Sequence, residues 1–251
     1  MARGLPRTSF NSSRLVRLLA DFSVTEVAES KQPFAERLGQ WLDFTDAMAL
    51  YSALNENPGS GTTTRPSANP AIDEEFARVR NALAESITTD GVLKTGNVRI
   101  KLPIPAAHLA VETAADFSPY HRYYLAHQRD MAAGIGPLRG KARAALAGQS
   151  PARQRLAALD AVMDEAMATR ERNLLSMVPL LLAKRFEHLY KAHQAARGET
   201  PVADDPAQWM LPGGWLAAYC RDMQAVLLAE LDLRLEPVAG LIEALGNEVT
   251  K

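Results

Sequence analysis

The sequence lacks most of the features by which a function is recognised. It has one cysteine among its 251 residues, which excludes an intramolecular disulfide framework. It has no uninterrupted apolar run near the roughly 18 residues of a membrane-spanning helix, and no apolar signal segment follows its N-terminal arginines. A net charge of −1 gives the whole chain no strong field toward nucleic acid or membranes. We therefore expect a cytoplasmic protein without membrane insertion.

Motifs of catalysis and cofactor binding are also missing. The chain contains no GxSxG nucleophile elbow, no P-loop and no GxGxxG dinucleotide motif. The zinc motif HExxH and the di-iron motif Glu-x-x-His are absent too. Cys220 shares a helical stripe with Leu216, Met223 and Leu227, which predicts a buried, inert thiol. These absences favour a protein that is not an enzyme and that holds no cofactor.

What is present is a helical pattern along almost the whole chain. Apolar residues make up 47% of the sequence and charged residues 23%, so there is ample material for a core. Apolar residues recur three or four positions apart, and the alternating pattern of strands is nearly absent. We predict an all-α fold, an elongated helical bundle with long, kinked antiparallel helices. A short strand would fit only within 88–105, where two glycines and two prolines occur.

One polar segment divides the predicted helices. Residues 55–70, "NENPGSGTTTRPSANP", consist almost wholly of Gly, Pro, Ser, Thr and Asn. Such a composition buries too little apolar surface to offset the entropy lost on ordering. We predict three regions: an N-terminal helical segment at 1–54, a flexible linker or loop at 55–70 and a main helical bundle at 71–251.

Two stretches outside the long helices predict further helical structure. "PFAERLGQWLDFTDAMALYSAL" fits one helix, along which apolar residues form a single stripe. The stripe comprises Phe34, Leu38, Trp41, Leu42, Thr45, Met48 and Tyr51. A second helix is predicted at 106–116. It is followed by Ser118 as an N-cap and Pro119 at the first helical position of the next helix.

The longest helical pattern begins at Ser150 and Pro151, which again suit an N-cap and a first helical position. From there to about residue 196 the chain has no glycine, and Pro179 is the only interruption. A proline inside a helix removes a backbone donor. We therefore predict a kink near 175–179.

The final helix is predicted from about Gly214 to Leu245, with a bend or break at Pro237. Its apolar stripe is comparable with that of the helix at 150–196, so we predict that the two pack antiparallel within one chain. Apolar surface left over near their ends is expected to drive dimerisation. Leu231 and Leu235 are the interaction candidates on this helix.

The densest cluster of reactive side-chain types is "SPYHRYYLAHQRDM". On a helical wheel Phe117, Tyr120, Tyr124, His127 and Met131 are spaced three or four residues apart and form one face. Because the other four belong in a core, His127 is expected there too, with one ring nitrogen donating and the other accepting. The cluster is therefore interpreted as a packed helix face.

This cluster has a partial echo later in the chain. The pattern Tyr-x-Ala-His-Gln occurs at 124–128 and at 190–194. A duplicated helical unit would produce it, but the flanking residues differ, and coincidence explains it equally well. No function follows from the echo itself.

A polar row gives the sequence's metal-binding or catalytic alternative. His108, Glu112 and Asp116 are spaced four residues apart, and His121 follows. Metal sites on helices need such ligands to converge from several helices in threes and fours. The competing interpretation is an exposed polar ridge.

Basic residues give the nucleic-acid alternative. Residues 1–20 carry four arginines and no acid. Between Asp130 and Asp160 five further basic residues occur without an acid: Arg139, Lys141, Arg143, Arg153 and Arg155. Such patches can contact phosphates, but no aromatic residues interleave to stack on bases. The competing interpretation is a solvated turn that meets the acidic C-terminal helix.

The two ends of the chain carry a resemblance to a known family. "RTSFNSSRLVRLLADF" with "ESKQPFAERLGQWLDFTDAMALYSALN", and the closing "VLLAELDLRLEPVAGLIEAL", resemble the uncharacterised proteobacterial family catalogued as domain of unknown function 3348. The resemblance covers nearly the whole chain and carries no assigned activity and no functional residues. It implies an accessory role beside an envelope complex.

Taken with the residues, this favours a non-enzymatic cytoplasmic helical interaction or scaffold protein. Its expected partners are proteins, including a second copy in a dimer. The alternative is a nucleic-acid-associated factor that uses the basic residues of 1–20 and 139–155. A third is a metal-binding or catalytic helical protein centred on His108, Glu112, Asp116 and His121.

Overall fold

The computed structural model describes residues 13–22, 34–55, 70–96, 98–105, 110–198 and 204–246. Most of these residues are helical, and none of them forms a strand, so the predicted all-α fold is confirmed. The helices are α1 (Arg14–Asp21), α2 (Phe34–Trp41), α3 (Phe44–Asn55), α4 (Pro70–Thr88), α5 (Val111–Ala114), α6 (Ser118–Ala147), α7 (Pro151–Ser176), α8 (Val178–Arg197) and α9 (Trp215–Gly246). Within the described ranges, no helix has both the length and the apolarity to span a bilayer.

The described residues divide into two compact units, each assembled from separate stretches of chain. The first unit takes its residues from within 1–29, 85–127 and 179–233. The second takes them from within 30–84, 128–178 and 234–251. The linker predicted at 55–70 lies almost entirely outside the described residues, so the predicted boundaries at 54 and 71 stay a prediction.

The core of the first unit is aromatic. The ring centroid of Phe186 on α8 lies 5.0 Å from that of Tyr219, 5.1 Å from that of Trp215 and 5.5 Å from that of Tyr120. Most of these contacts are edge-on or tilted, as the ring quadrupole favours. One turn further along α8 than Phe186, Tyr190 contacts Trp215, which lies one turn before Tyr219 on α9. α8 and this part of α9 therefore run antiparallel, as predicted.

A buried polar pair joins α6 to α9 in the same unit. The Tyr124 hydroxyl donates a hydrogen bond of 2.6 Å to Oε2 of Glu230, and both residues are buried. A buried carboxylate without such donors would lose several kcal/mol of solvation. The sequence stripe predicted a buried position for Tyr124, but its partner on α9 was not anticipated.

An antiparallel pair of helices, α6 and α7, forms much of the second unit. Gln128 Nε2 donates to the Leu175 carbonyl, and the helices reverse direction at 148–150. The Ser150 hydroxyl accepts from the Arg153 amide at 3.3 Å, and Pro151 is the first residue of α7. The predicted start of this helix is therefore confirmed.

The stretch predicted as one helix at 33–54 is two helices in the structure. The Asp46 amide donates to Asp43 Oδ1 at 2.8 Å, and the Asp43 amide donates to Asp46 Oδ2 at 3.1 Å. This reciprocal arrangement is a capping box built from two aspartates, and it begins a new helix at Phe44.

Other helix boundaries also depart from the sequence prediction. The helix predicted at 106–116 is limited to the four residues of α5 within the described part of that stretch. Ser118 is the first residue of α6 rather than its cap, because Asp116 Oδ1 accepts hydrogen bonds from both its amide and its hydroxyl.

The two predicted proline effects have different outcomes. Near Pro179 the long helix ends at Ser176 and α8 begins at Val178, so the interruption predicted there is confirmed. At Pro237 the predicted break does not occur, since α9 continues through it to Gly246. Leu235 and Val238 are buried on either side of this proline, and their packing stabilises the helix despite the lost backbone donor.

Candidate interaction surface

One face of α3 is apolar and open to solvent. Phe44 is 82% exposed, Met48 50%, Tyr51 64% and Leu54 56%. Phe44, Met48 and Tyr51 follow each other at intervals of four and three residues, so they lie in one row along the helix. Leu54 lies beside the end of this row. We call these four residues the α3 face.

The opposite side of α3 is anchored within the second unit. α3 packs against α7, and Ala53 is buried. The preceding helix is held to α7 by a cation–π contact, in which the Arg170 guanidinium lies 4.6 Å from the centre of the Trp41 ring. Arg37 lies over the same ring at 5.2 Å. The α3 face is therefore presented by a helix that is capped at its start and packed along its back.

The α3 face is largely apolar and carries no positive charge. α3 carries Asp46 in its first turn and no lysine or arginine anywhere. With roughly 150–250 Å² for each aromatic side chain, the four residues expose on the order of 400 Å² of largely apolar surface. A patch of a few hundred Å² is as large as the largest on a typical monomer, and such patches are often functional.

Three of the five basic residues singled out at 139–155 form ion pairs within the second unit. Arg139 donates to Asp160 and Asp164 at 2.6 Å each, and Arg143 donates to the same two carboxylates. Lys141 pairs with Glu75 at 2.6 Å. The sequence has no acid within 139–155, but Asp160 and Asp164 lie opposite the arginines because α7 folds back along α6.

This arrangement lowers the positive field of the basic stretch. Burial raises the pKa of Asp160, but hydrogen bonds from Arg139 and Arg143 and their charges outweigh it and hold the pKa below its usual value. Arg153 is buried, and Arg155 is exposed. The nucleic-acid alternative stays a prediction that no contact among the described residues favours.

Of the four candidate metal ligands, the structure describes the side chains of Asp116 and His121 only. His108 lies outside the described residues, and the side chain of Glu112 is likewise not described. Asp116 accepts from Ser118, and these hydrogen bonds lower its pKa. The His121 ring lies 6.0 Å from that of Phe117. Among the described residues, no group of three or more His, Cys, Asp or Glu side chains is placed to hold a metal ion.

The remaining candidates lie inside the fold. Leu231 and Leu235 are 1% and 3% exposed, so they contribute to the core of the chain itself. His127 is buried, as predicted, and its ring meets that of Tyr123 edge-on at 4.6 Å. Cys220 is buried too, and burial raises the pKa of its thiol to about 12. Burial also raises the pKa of Tyr120 far above its usual value, so neither group ionises at neutral pH.

The echo at 190–194 has different surroundings from the copy at 124–128. His193 Nε2 lies 3.1 Å from Asp204 Oδ2, while Trp209 Nε1 donates to Asp204 Oδ1 at 2.9 Å and Arg197 lies 3.6 Å from it. Burial raises the pKa of Asp204, but the hydrogen bonds from Trp209 and His193 outweigh it and keep the pKa low. Asp204 thus fastens the segment before α9 to the end of α8.

A cleft of about 700 Å³ lies beside this carboxylate. Its lining comprises Leu189, Ala192, His193, Arg197, Asp204, Asp205, Gln208, Trp209, Gly213, Gly214 and Trp215. Gly213 has a φ of 89°, and a Cβ on Gly214 would lie 2.2 Å from the Trp209 carbonyl oxygen, so the turn requires both glycines. The lining therefore carries charges of both signs, with Asp204 and Asp205 on one side of the balance and Arg197 on the other.

The sequence reasoning missed the α3 face and Asp204. The Asp-x-x-Asp spacing at 43–46 was a usable signal for the start of α3. The exposure of the α3 face had no comparable signal, because it depends on which side of the helix α7 covers. Asp204 had no sequence signal either, because its contact with His193 depends on how the chain after α8 folds back.

Comparison with known proteins gives a family and no function. The family model described as "Protein of unknown function (DUF3348)" matches residues 1–247, which confirms the resemblance seen in the sequence. No curated protein and no solved structure matches the chain.

Proposed function

Since the chain belongs to the family described as "Protein of unknown function (DUF3348)", we propose its function from its own surface. We propose that it is a non-enzymatic helical interaction or scaffold protein of the cytoplasm, accessory to an envelope complex. Its partners are proteins, and self-association into a dimer is part of the proposal. The α3 face is the observation that carries this proposal.

The magnitude of the exposed surface supports a contact role. Burying about 400 Å² of apolar surface at about 25 cal/mol per Å² gives a gross gain on the order of 10 kcal/mol. Association costs roughly 4–15 kcal/mol of lost freedom, so a contact through this face alone would be weak and reversible at most. Leaving Phe44 and Tyr51 in water has no benefit for the isolated chain, whereas a partner would recover their burial.

Affinity capture from the native host tests the proposal. The tagged chain is compared with the variant Met48→Glu and with Leu180→Glu, a matched control whose side chain is 51% exposed on α8, against 50% for Met48. We expect the wild type and the control to capture specific partner proteins that Met48→Glu does not capture. Equal recovery of every protein by all three chains would contradict the proposal.

The nucleic-acid alternative has its own readout. Binding of the purified chain to generic duplex DNA is titrated against salt, because phosphate contacts give a steep slope of affinity against salt concentration. We expect no measurable binding near physiological salt.

A further inference from the structure

We infer that the cleft between the end of α8 and the start of α9 binds a small zwitterion, an α-amino acid with an apolar side chain. Such a site goes beyond the proposed function, because it takes a small ligand in the first unit rather than a protein partner at the α3 face. Three features of the lining carry the inference: a buried indole donor, a helix start without a capping side chain, and charges of both signs.

The cleft has the size and the fixed shape of a ligand site. Its volume of about 700 Å³ falls within the roughly 300–1,000 Å³ that small-molecule sites occupy. All of its lining residues lie within 189–215, so the whole site belongs to the first unit. The Ala217 amide donates to the Trp209 carbonyl at 3.1 Å, and Trp209 Nε1 donates to Asp204. These contacts hold the lining in place before a ligand enters.

Trp215 supplies a donor that the fold leaves unused. This residue is 7% exposed and lines the cleft, and its Nε1 has no hydrogen-bond partner among the residues that the structure describes. Trp209, whose ring packs beside it, does have one, the carboxylate of Asp204. Buried polar groups are nearly always hydrogen-bonded, because a group without a partner loses its solvation for nothing. An oxygen atom of a bound ligand would satisfy this indole.

The start of α9 favours a negative charge on that ligand. The helix is 32 residues long and carries no acid in its first turn. Gly214, which precedes the helix and also lines the cleft, has no side chain that could cap it. Helix N-termini attract anions, because their backbone dipoles add up to a partial positive charge. Arg197 lines the same cleft with 29% of its side chain exposed, so the lining suits a carboxylate.

The acids of the lining favour a positive charge as well. Asp204 is engaged by donors of the chain itself. Asp205 is exposed and accepts from the Ala207 amide at 3.0 Å and from Gln208 Nε2 at 3.4 Å. A carboxylate has about four lone-pair sites, so Asp205 can accept an ammonium group too. A ligand with a single charge would meet a like charge in this lining, whereas each group of a zwitterion meets an opposite one.

The rest of the ligand is expected to be apolar. Leu189 and Ala192 lie almost one turn apart on α8, and both line the cleft together with Trp215. Surfaces of this kind bury aliphatic and aromatic groups, and they leave polar groups without partners. An α-amino acid such as phenylalanine or leucine carries the carboxylate, the ammonium group and the apolar body in one small molecule.

Calorimetric titration of the full chain with three compounds that share one phenyl ring tests the inference. Phenylalanine has both charged groups, 3-phenylpropionate lacks the ammonium group, and 2-phenylethylamine lacks the carboxylate. We expect phenylalanine to bind with a Kd between about 10 micromolar and 1 millimolar, as its small size allows, and each of the other two to bind about tenfold or more weakly. Leucine should compete with phenylalanine for the site.

Substitutions in the lining separate the two charges. Arg197→Gln should weaken the binding of phenylalanine and of 3-phenylpropionate alike, by about fivefold or more. Asp205→Asn should weaken phenylalanine by a similar factor without weakening 3-phenylpropionate, because the asparagine oxygen still accepts from Ala207 while the negative charge is lost. Arg172→Gln, at an exposed arginine of α7, is the matched control and should change neither Kd. Circular dichroism confirms that each variant retains its helices.

The indole signals in a nuclear magnetic resonance spectrum locate the ligand. The chain has three tryptophans and therefore three indole N–H resonances, which the variants Trp41→Phe and Trp215→Phe assign. Saturation with phenylalanine should shift the Trp215 resonance strongly, because this N–H gains an acceptor. The resonance of Trp41, a residue of the second unit, should stay in place.

Contrary results overturn separate parts of the inference. Absence of binding by both phenylalanine and leucine at millimolar concentration would overturn the site. Binding that leaves the Trp215 resonance in place and is unaffected by Arg197→Gln would show that the ligand lies elsewhere. A Kd for 3-phenylpropionate as low as that for phenylalanine would overturn the role of the ammonium group, and with it the amino acid. The capture of partner proteins through the α3 face is decided separately by Met48→Glu.

Discussion

The aromatic residues of the first unit and those of α3 are the same in kind and opposite in exposure. Phe186 is 4% exposed and Phe44 82%, while Tyr120 is 2% exposed and Tyr51 64%. In the first unit each ring meets several others, so its apolar surface is removed from water within the chain. Within the described part of the chain, no ring contact is made by Phe44 or Tyr51 of α3. The first unit thus uses its aromatic residues for folding, and the exposure of those on α3 supports our proposal that they serve for contact.

The comparison also reverses the impression given by the sequence. The stretch rich in tyrosine, histidine and arginine at 118–131 contributes buried side chains such as Tyr124 and His127. The unremarkable "FTDAMALYSAL" carries the exposed apolar surface. A stripe of apolar residues is usually a core face, but only the neighbouring helices decide whether it is covered.

The largest effect is expected from truncating a ring in the first unit. Phe186→Ala should lower the free energy of unfolding by about 3–5 kcal/mol, because it opens a cavity among several rings. Phe44→Ala should change it by less than about 0.5 kcal/mol, since exposed residues contribute little to the fold. Urea denaturation followed by circular dichroism, at low protein concentration, measures both. Equal losses would show that α3 is part of the core.

A smaller effect is expected at the buried pair of α6 and α9. Tyr124→Phe removes the hydroxyl that donates to Glu230, and the buried carboxylate loses a donor. We predict a loss of about 1–3 kcal/mol in the free energy of unfolding. In Glu230→Gln the side-chain amide oxygen can still accept from Tyr124. The loss in the free energy of unfolding of the double variant should therefore be smaller than the sum of the losses in the two single variants. Strict additivity would show that the two side chains are not coupled.

The sequence predicted the features that depend on local pattern, and it missed those that depend on which helix packs alongside. The start of α7 at Ser150 and Pro151, and the burial of Cys220 and His127, follow from caps and from apolar spacing. The pairing of Arg139 with Asp160 depends on how α7 folds back along α6, which no local pattern contains. The exposure of α3 has the same origin.

The ion-pair cluster of the second unit gives a still smaller, pH-dependent effect. The pKa of Asp160 is lower in the folded chain than in the unfolded one, so its stabilising contribution is complete above the unfolded pKa, about 3.9, and is lost as the pH falls through the folded value. Asp160→Asn should therefore cost about 1–2 kcal/mol at neutral pH and progressively less below about pH 4. Urea denaturation at several pH values measures this difference.

The control for that prediction is a fully exposed pair. Lys191 and Glu187 lie 2.6 Å apart on α8 in water. Glu187→Gln should produce no measurable change in stability at neutral pH. A loss at Asp160 that persists unchanged at acid pH would show that its role is steric rather than electrostatic.

Side-chain footprinting with hydroxyl radicals tests the account most directly. Met48 and Met177 are 50% and 51% exposed in the chain, so they should be oxidised equally when the protein is dilute. As the concentration rises and the proposed dimer forms, we predict that oxidation of Met48, together with Tyr51 and Phe44, falls severalfold while that of Met177 stays constant. Oxidation of Met48 that is independent of concentration, or that falls in parallel with that of Met177, would contradict a contact through the α3 face.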